Sequence, residues 1–433
     1  MNQVLAVRSL RLLFFVVLFC MWAGAGRLAA EPGLEMGKRM VVIKAYQQQY
    51  DWLNPWNKNV IETRSGVASA IRISPGSSRN KVQWFLTAAD LVRNATLVEA
   101  TPKGKIRSSR LILEHINHAL NLALLSLGDD TVFERLERVG WGAPERGEVL
   151  LPDLSPGKRG PLKGSIERLT VGHRRVRNAW LPVLQVSLKD TPPQGSILIQ
   201  KGKAVGMVLN GSQGTFNALP AQLVLRFLEQ EKQQQRGAFA HRGFNWKTIP
   251  QQSMAEYARI PYDVPGIWIS RVLNHGTGSQ VLMKGDYLTR LGAWPLSGEG
   301  QIEHPDWGPV LFDALFLDEM SPGDSVELTV YREGKQVTLK TTVDVFRENG
   351  HLVPLKQFGR PPSYLIRGGL LFQELTQNYL EVWGGNWKNA APIRLRLYKQ
   401  MDYRHSRNRF SDENGQDERI VILTQVLPDA INI

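Results

Sequence analysis

Cysteine is nearly absent from this chain of 433 residues, because Cys20 is the only one. It lies in an apolar run close to the start of the chain. Disulfide bonds, a cysteine nucleophile and cysteine-ligated zinc are therefore excluded for the rest of the sequence. Cys20 is not preceded by the small residues that a lipid-attachment site needs, so we do not predict a lipoprotein.

Metal-binding histidine patterns are also missing. The 8 histidines are scattered, the closest pair is His115 and His118, and no H-E-x-x-H array occurs. We therefore expect no metal site and no cofactor.

Long apolar runs are scarce, and the one that exists lies at the beginning. Arg8 and Arg11 precede the apolar residues 12–22, and Ala23-Gly24-Ala25 then offers small side chains at the two cleavage positions. A run this short with these flanks is typical of a signal peptide. We predict that residues 1–25 are a signal peptide and that the protein is periplasmic or secreted, with an uncleaved membrane anchor as the alternative. No later stretch approaches 18 apolar residues, so we expect no further membrane span.

The charge is basic but dispersed. Lys and Arg number 53 against 40 Asp and Glu, giving a net charge of +13, while the hydrophobic fraction of 42% is that of a globular protein. The densest basic clusters, at 174–177 and 404–409, match no nucleic-acid-binding motif. We interpret both as solvated surface and expect no nucleic-acid partner.

Residues 41 to about 220 contain many short runs of β-forming residues, punctuated by Gly, Pro, Ser and Asn. Regular spacing of this kind favours a sandwich or a barrel. The region closes with a helical pattern at 222–235 and a polar linker. A second unit at 250–345 shows strands, a short helix at 309–317 and a hairpin. A third stretch, 351–433, contains a helical pattern at 393–401 and a strand at 420–426.

Three short motifs carry a resemblance to trypsin-like serine proteases. Residues 85–90, Phe-Leu-Thr-Ala-Ala-Asp, resemble the L-T-A-A-H strand end of those enzymes. Residues 121–125, Asn-Leu-Ala-Leu-Leu, resemble D-[IL]-A-L-L. Residues 193–199, Pro-Gln-Gly-Ser-Ile-Leu-Ile, resemble G-N-S-G-G-P-L. The unit at 266–345 is similar to a PDZ domain, and the tail is similar to the second PDZ-like domain of plant-type Deg proteins. Together the order and spacing indicate the HtrA/Deg family, over roughly residues 60 to 433.

The resemblance implies a mostly β fold: a trypsin-like double six-stranded β-barrel followed by PDZ-like α+β domains. The implied bounds are 40–236 for the protease-like domain, 250–346 for the PDZ domain and 347–433 for a second, incomplete PDZ-like domain. These follow the signal peptide at 1–25.

The catalytic positions of this family appear in the order His, Asp, Ser. The resemblance assigns them to Asp90, Asn121 and Gln194, and none is the residue type that the reaction needs. A carboxylate with an unperturbed pKa of about 3.9 is a poor base for a hydroxyl at neutral pH. A shift of one or two residues would bring Ser196 to the nucleophile position, still without a base. We predict that the four residues form a degenerate, inactive site, which His115, His118 or His173 could rescue only by lying beside a serine hydroxyl.

PDZ domains bind extended peptides along a sheet edge and hold the terminal carboxylate with the amides of a loop. The resemblance assigns that loop to Tyr257, Ala258, Arg259 and Ile260. Arg259 stands where the family usually has glycine, which would either hinder the turn or add a positive charge for the carboxylate.

Three functions follow from this resemblance. The first is a non-catalytic protein- or peptide-binding scaffold of the cell envelope, whose ligands could include free C-termini. The second is an active serine endopeptidase of the HtrA/Deg class, acting in protein quality control. The third is a structural or inhibitory subunit that assembles with itself or with an active Deg protease.

Overall fold

The computed structural model describes most of the chain from Gly37 onward. The described residues are 37–57, 60–71, 83–102, 105–127, 136–154, 160–174, 179–212, 214–232, 239–249, 255–256, 259–260, 263–273, 275–305, 307–345, 352–404 and 419–428. The predicted signal peptide and its cleavage site lie outside these ranges.

The first six strands close into a barrel, called barrel 1, with the order β1-β2-β3-β6-β5-β4. A 3-10 turn, η1 (Gly37–Arg39), leads into β1, and a single helical turn, α1 (Ala89–Val92), follows β3. Inward side chains alternate with outward ones, as a half-buried strand requires: Val41, Ile43 and Ala45 of β1 are all fully buried. The strands are β1 (Met40–Gln49), β2 (Val60–Ile71), β3 (Trp84–Ala88), β4 (Ala95–Pro102), β5 (Ser109–Asn117) and β6 (Leu122–Leu127).

The next six strands close into barrel 2, with the order β10-β11-β12-β9-β8-β7. The helix α2 (Ala221–Lys232) follows, and its buried face includes Leu223, Val224 and Phe227. The predicted mostly β, double six-stranded barrel fold is therefore confirmed. The strands are β7 (Gly147–Leu151), β8 (Leu162–Arg174), β9 (Ala179–Leu188), β10 (Ile197–Gln200), β11 (Lys203–Ser212) and β12 (Thr215–Pro220).

The third unit is an α+β domain whose sheet has the order β13-β14-β15-β19-β20. Its edge strand β13 lies before residue 250, so the sheet begins ahead of the boundary expected from the sequence. The helix expected at 309–317 starts later, because its first residues pair as strand β18. The elements are β13 (Phe244–Lys247), β14 (Ile267–Val272), β15 (Tyr287–Leu291), β16 (Trp294–Pro295), β17 (Gln301–His304), β18 (Gly308–Leu311), a 3-10 turn η2 (Phe312–Ala314), α3 (Leu315–Asp318), β19 (Ser325–Arg332) and β20 (Lys335–Thr342).

This unit is fused to barrel 2 by one apolar core, which includes Val186 of β9 together with Phe312, Leu315 and Phe316 of the helical segment. Arg226 of α2 strengthens the junction, because its Nη1 donates to the carbonyl of Leu317 at 2.7 Å. The η2–α3 segment therefore has its outer side against barrel 2.

The last unit combines a three-stranded sheet, in the order β21-β22-β23, with short helices. Its small core contains Val353, Leu375 and Leu380, and Trp52 from the connection between β1 and β2 packs against it. The elements are β21 (Tyr364–Arg367), β22 (Leu370–Glu374), α4 (Gln377–Leu380), a 3-10 turn (Glu381–Trp383), α5 (Trp387–Ala390), α6 (Ile393–Arg404) and β23 (Val421–Val426). Within the described part of the chain, no helix is both long and apolar enough to cross a membrane.

Candidate functional site at the barrel seam

The two loops that carry Asp90 and Asn121 are in direct contact. Asp90 is the second residue of α1, just after β3 ends, and Asn121 immediately precedes β6, the neighbour of β3. Asn121 is fully buried and has a φ of 62°, a left-handed conformation that asparagine tolerates better than most residues. Its Oδ1 accepts a hydrogen bond from the Asp90 backbone N–H at 2.8 Å, and its carbonyl accepts one from Ala89 at 3.0 Å. The structure thus brings the first two predicted positions together.

The Asp90 carboxylate is paired with a cation. Arg93 lies one turn further along and donates from Nη1 to Oδ1 of Asp90 at 2.8 Å, with about a fifth of each side chain exposed. The Asp90 carbonyl accepts hydrogen bonds from Arg64 and Gln47, each at 3.3 Å. The charge at this position is therefore neutralised by a guanidinium, a group that cannot take up a proton at neutral pH.

The third segment, residues 194–196, reaches the same place from barrel 2. The Val67 N–H of β2 donates to the Gln194 carbonyl at 2.9 Å. Gly195 has a φ of +83°, and a Cβ there would lie 2.2 Å from the Val67 carbonyl oxygen and 2.8 Å from Thr87 Oγ1. Only glycine fits this approach. All three predicted positions therefore meet at the seam between the barrels, with the Gln194 side chain exposed to solvent.

Ser196 has no accessible hydroxyl. The residue is fully buried, and its Oγ donates to the Pro193 carbonyl at 2.7 Å. Its backbone N–H is directed to the same carbonyl at 3.2 Å. A nucleophilic hydroxyl must be open to the substrate and hydrogen-bonded to a base, and Ser196 meets neither condition with the contacts it makes here.

Pro192 also belongs to this site, although the three sequence motifs do not include it. Trypsin-type proteases stabilise the oxyanion with the backbone N–H of the nucleophile and of the residue two positions before it. With Gln194 at the nucleophile position, the second donor would come from Pro192, which has no N–H. The Pro192-Pro193 pair is visible in the sequence, so the signal was available.

The two nearby histidines, His115 in β5 and His118 in the turn that follows it, contact other partners. His115 Nδ1 lies 2.5 Å from Glu231 Oε1 at the end of α2, and its ring stacks on Phe227. The ring of His118 stacks on Phe358, with centroids 4.2 Å apart. The side chain of His173 lies outside the described residues. Within the described ranges, no cluster of three or more His, Cys, Asp or Glu side chains is arranged to hold a metal ion.

Strand β13 is one of the two edge strands of the sheet in the first PDZ-like unit. The loop before this strand is 241–243, in which Gly243 has a φ of +81°. Arg259 and Ile260 of the predicted carboxylate loop lie elsewhere: a Cβ on Gly334, in the turn between β19 and β20, would be 3.1 Å from the Cβ of Arg259. That turn is three strands away from β13 in the sheet. Tyr257 and Ala258 lie outside the described residues.

Asp313 of η2 bridges the edge strand and the facing helical segment. Its carboxylate forms an ion pair with Arg242 and accepts a hydrogen bond from the Trp246 side chain. Burial raises the pKa of Asp313, and the charge of Arg242 opposes that shift. Phe244 and Phe312 stack behind the ion pair with centroids 5.9 Å apart. The edge of β13 is therefore fastened to η2 by one buried carboxylate.

Comparison with known proteins gives matches along most of the chain. A family model described as a PDZ domain matches residues 353–433. Protease Do-like 2, chloroplastic, from Arabidopsis thaliana is 24% identical over 408 residues, which cover 90% of this chain and 63% of that protein. Protease Do-like 4, mitochondrial, from the same plant is 22% identical over 311 residues, which cover 69% of this chain and 58% of that protein. This chain thus spans less than two thirds of the length of either relative.

Solved structures of HtrA-type proteases share this fold over most of the chain. The HtrA-type protease AlgW with decapeptide superposes with a TM-score of 0.53 at 16% identity, covering 73% of this chain and 98% of that one. The same protease with tripeptide gives a TM-score of 0.54 at 14% identity, covering 74% and 98%. At such identities the likeness supports the fold.

Proposed function

Because the chain belongs to the HtrA/Deg family of trypsin-fold proteins that carry PDZ domains, we propose that it is an exported pseudoprotease of the cell envelope. It acts by binding proteins or peptides and does not cleave them. The observation that carries this proposal is the Asp90–Arg93 ion pair at the position where a protease needs an imidazole.

The remaining parts of the machinery support the same interpretation. Asn121 offers an uncharged amide in place of the carboxylate that would orient an imidazole. Gln194 has no nucleophilic oxygen, and Ser196 is buried against Pro193. Pro192 removes one donor of the oxyanion hole. Because the members of a triad act as a unit, loss of any one removes several orders of magnitude in rate.

A fluorophosphonate probe and an unfolded casein substrate test this proposal. We expect no labelling of the purified protein and no turnover above that of a Ser196→Ala variant measured in parallel. Labelling that disappears in Ser196→Ala would establish the second candidate, an active endopeptidase, which the names of the relatives favour.

Peptide binding is proposed at the edge of β13, between that strand and η2. An extended peptide would add to the strand, and its terminal carboxylate would meet Arg242, which Asp313 now occupies. We expect Asp313→Asn to raise the affinity for an apolar peptide with a free C-terminus roughly tenfold, since a charge-assisted bond contributes about 1.5 kcal/mol.

Calorimetry with the peptide acid and its C-terminal amide checks this expectation. The amide should bind equally weakly to the wild-type protein and to Asp313→Asn. An equal gain in affinity for the acid and the amide would show that Arg242 does not bind the terminal carboxylate. Circular dichroism of both proteins provides the folding control.

Export is proposed from the first residues alone. The basic pair Arg8 and Arg11, the apolar run at 12–22 and the small residues at 23–25 have the order of a secretory signal. N-terminal sequencing of protein recovered from the envelope fraction tests it. A mature chain that begins shortly after residue 25 would support cleavage, and an intact Met1 would support the anchor.

A further inference from the structure

Residues 356–359 lie near the start of the second PDZ-like unit and contact barrel 1, and we call this segment the strap. Phe358 at its centre is half-buried. Its ring stacks on His118 with centroids 4.2 Å apart and 28° between the planes. The guanidinium carbon of Arg93 lies 5.3 Å from the centroid of the same ring. The next residue, Gly359, donates its N–H to Oδ1 of Asn94.

The barrel residues that the strap contacts belong to the two loops of the degenerate triad. Arg93 is ion-paired with Asp90 and is the C-cap residue of α1, and Asn94 follows it with a φ of 59°. His118 lies three residues before Asn121, whose amide oxygen holds the backbone of Asp90. The phenylalanine ring therefore lies beside the degenerate triad, on the barrel 1 side of the seam.

The other side of the strap is attached to the last unit. Gln357 exchanges two hydrogen bonds with the Asn378 side chain of α4, at 2.7 Å and 2.8 Å. Lys356 forms an ion pair with Glu381. Just before the strap, the Pro354 carbonyl accepts from the Gln377 N–H at 3.0 Å. The strap is thus a fixed part of the second PDZ-like unit.

We propose that Arg93, Asn94 and His118 form a binding site for an aromatic side chain, and that the protein fills this site with its own Phe358. An aromatic ring gains from stacking on imidazole and from facing a guanidinium, and the amide of Asn94 fixes the following main-chain N–H. Because the ligand is tethered to the same chain, its effective concentration is high, and the site is closed to other chains while the strap is docked.

Asp90 contributes to this site through its ion pair with Arg93. Its carboxylate orients the Arg93 guanidinium that faces Phe358, so it is a positioning residue for the strap. The inference concerns a different contact from the proposed lack of catalysis and does not rest on it.

A cysteine pair tests whether the strap docks on its own chain. The only native cysteine, Cys20, is removed by Cys20→Ser, and His118→Cys is combined with Phe358→Cys. As a control, Ile106→Cys replaces His118→Cys. Ile106 is 99% exposed and lies beyond the opposite end of β5 from His118, roughly 30 Å along the strand direction. Mild oxidation should give an intramolecular disulfide in the first pair and none in the control, as judged by peptide mass.

Two results would overturn the assignment: equal cross-linking of both pairs, or a disulfide that joins two chains. The first would mean that the strap has no fixed place on barrel 1. The second would mean that the aromatic ligand comes from another copy.

Hydrogen exchange measures what the ring contributes. We expect Phe358→Ala to raise the exchange rates of peptides covering 89–94 and 117–121 roughly tenfold, Phe358→Tyr to leave them near wild type, and Asp90→Asn to give a smaller increase. Leu365→Ala is the matched control, because Leu365 is 60% exposed in the same unit. No change in Phe358→Ala, or the same change in Leu365→Ala, contradicts the proposal.

Discussion

The fit of Gly195 at the barrel seam gives a prediction for which the chain supplies its own control. In Gly195→Ala, the new methyl group would lie 2.2 Å from the Val67 carbonyl oxygen, whereas real Cβ contacts stay beyond 3.0 Å. The 194–196 turn and strand β2 must therefore separate by roughly 0.8 Å. Gly202, in the turn between β10 and β11, has a similar φ of +74°, and no atom lies within 4 Å of the position that an alanine methyl would take there. Gly202→Ala therefore incurs the conformational penalty alone.

The two variants separate the conformational and the steric contributions to the loss of folding stability. A left-handed conformation costs an L-residue roughly 1–2 kcal/mol, and overpacking at a rigid backbone contact adds about 1–3 kcal/mol. We expect Gly195→Ala to lower the free energy of unfolding by about 1–3 kcal/mol more than Gly202→Ala.

Urea titration followed by tryptophan fluorescence measures this difference. Equal losses in Gly195→Ala and Gly202→Ala would refute the close packing of the 194–196 turn against β2. The turn would then not fix Gln194 at the seam.

Two further predictions concern the barrel seam and His241 in the loop before β13. Rebuilding the triad with Asp90→His, Asn121→Asp and Gln194→Ser should give casein hydrolysis that rises roughly 10²–10³-fold when Pro192→Gly restores the second oxyanion donor; equal rates with and without that change would show that Pro192 does not matter. Burial, helped by the Arg242 charge, lowers the pKa of His241 from 6.5 to about 4, and its Nδ1 accepts from Gly243. The unfolded chain therefore binds the proton first as the pH falls, and roughly 3 kcal/mol of stability present above pH 6.5 is lost by about pH 4. Urea titrations of wild type and His241→Asn at several pH values check this, and parallel curves for the two proteins would contradict it.

Strands of barrel 2 show where local patterns fall short. The runs at 181–188 and 197–199 are apolar enough to predict strands from sequence, and they form β9 and β10. Strand β8 is not predicted, because Lys163, Glu167 and Arg168 interrupt its apolar pattern. It forms because it pairs with β9 along nearly its whole length and so gains its hydrogen bonds from a partner strand.

The C-terminal helix shows the opposite case. The pattern at 393–401 predicts a helix, and α6 occupies Ile393–Arg404. Helix formation depends on bonds between residues four apart, so a local pattern is sufficient to predict it. The edge strand β13 is not predicted from local sequence. It has only four residues, and it pairs with β14 across an intervening segment.

By itself, the sequence determined the residue types at Asp90, Asn121, Gln194 and Pro192, and with them the chemical groups present at these positions. The order of its motifs was also sufficient to predict two barrels followed by PDZ-like units. Only the tertiary structure decided that Asp90 is paired with Arg93, that Asp313 closes the edge of β13 and that Phe358 lies on His118. The last of these contacts joins residues 118 and 358, which are 240 positions apart. No periodicity along the chain encodes that contact, because it depends on how two separately folded units pack against one another.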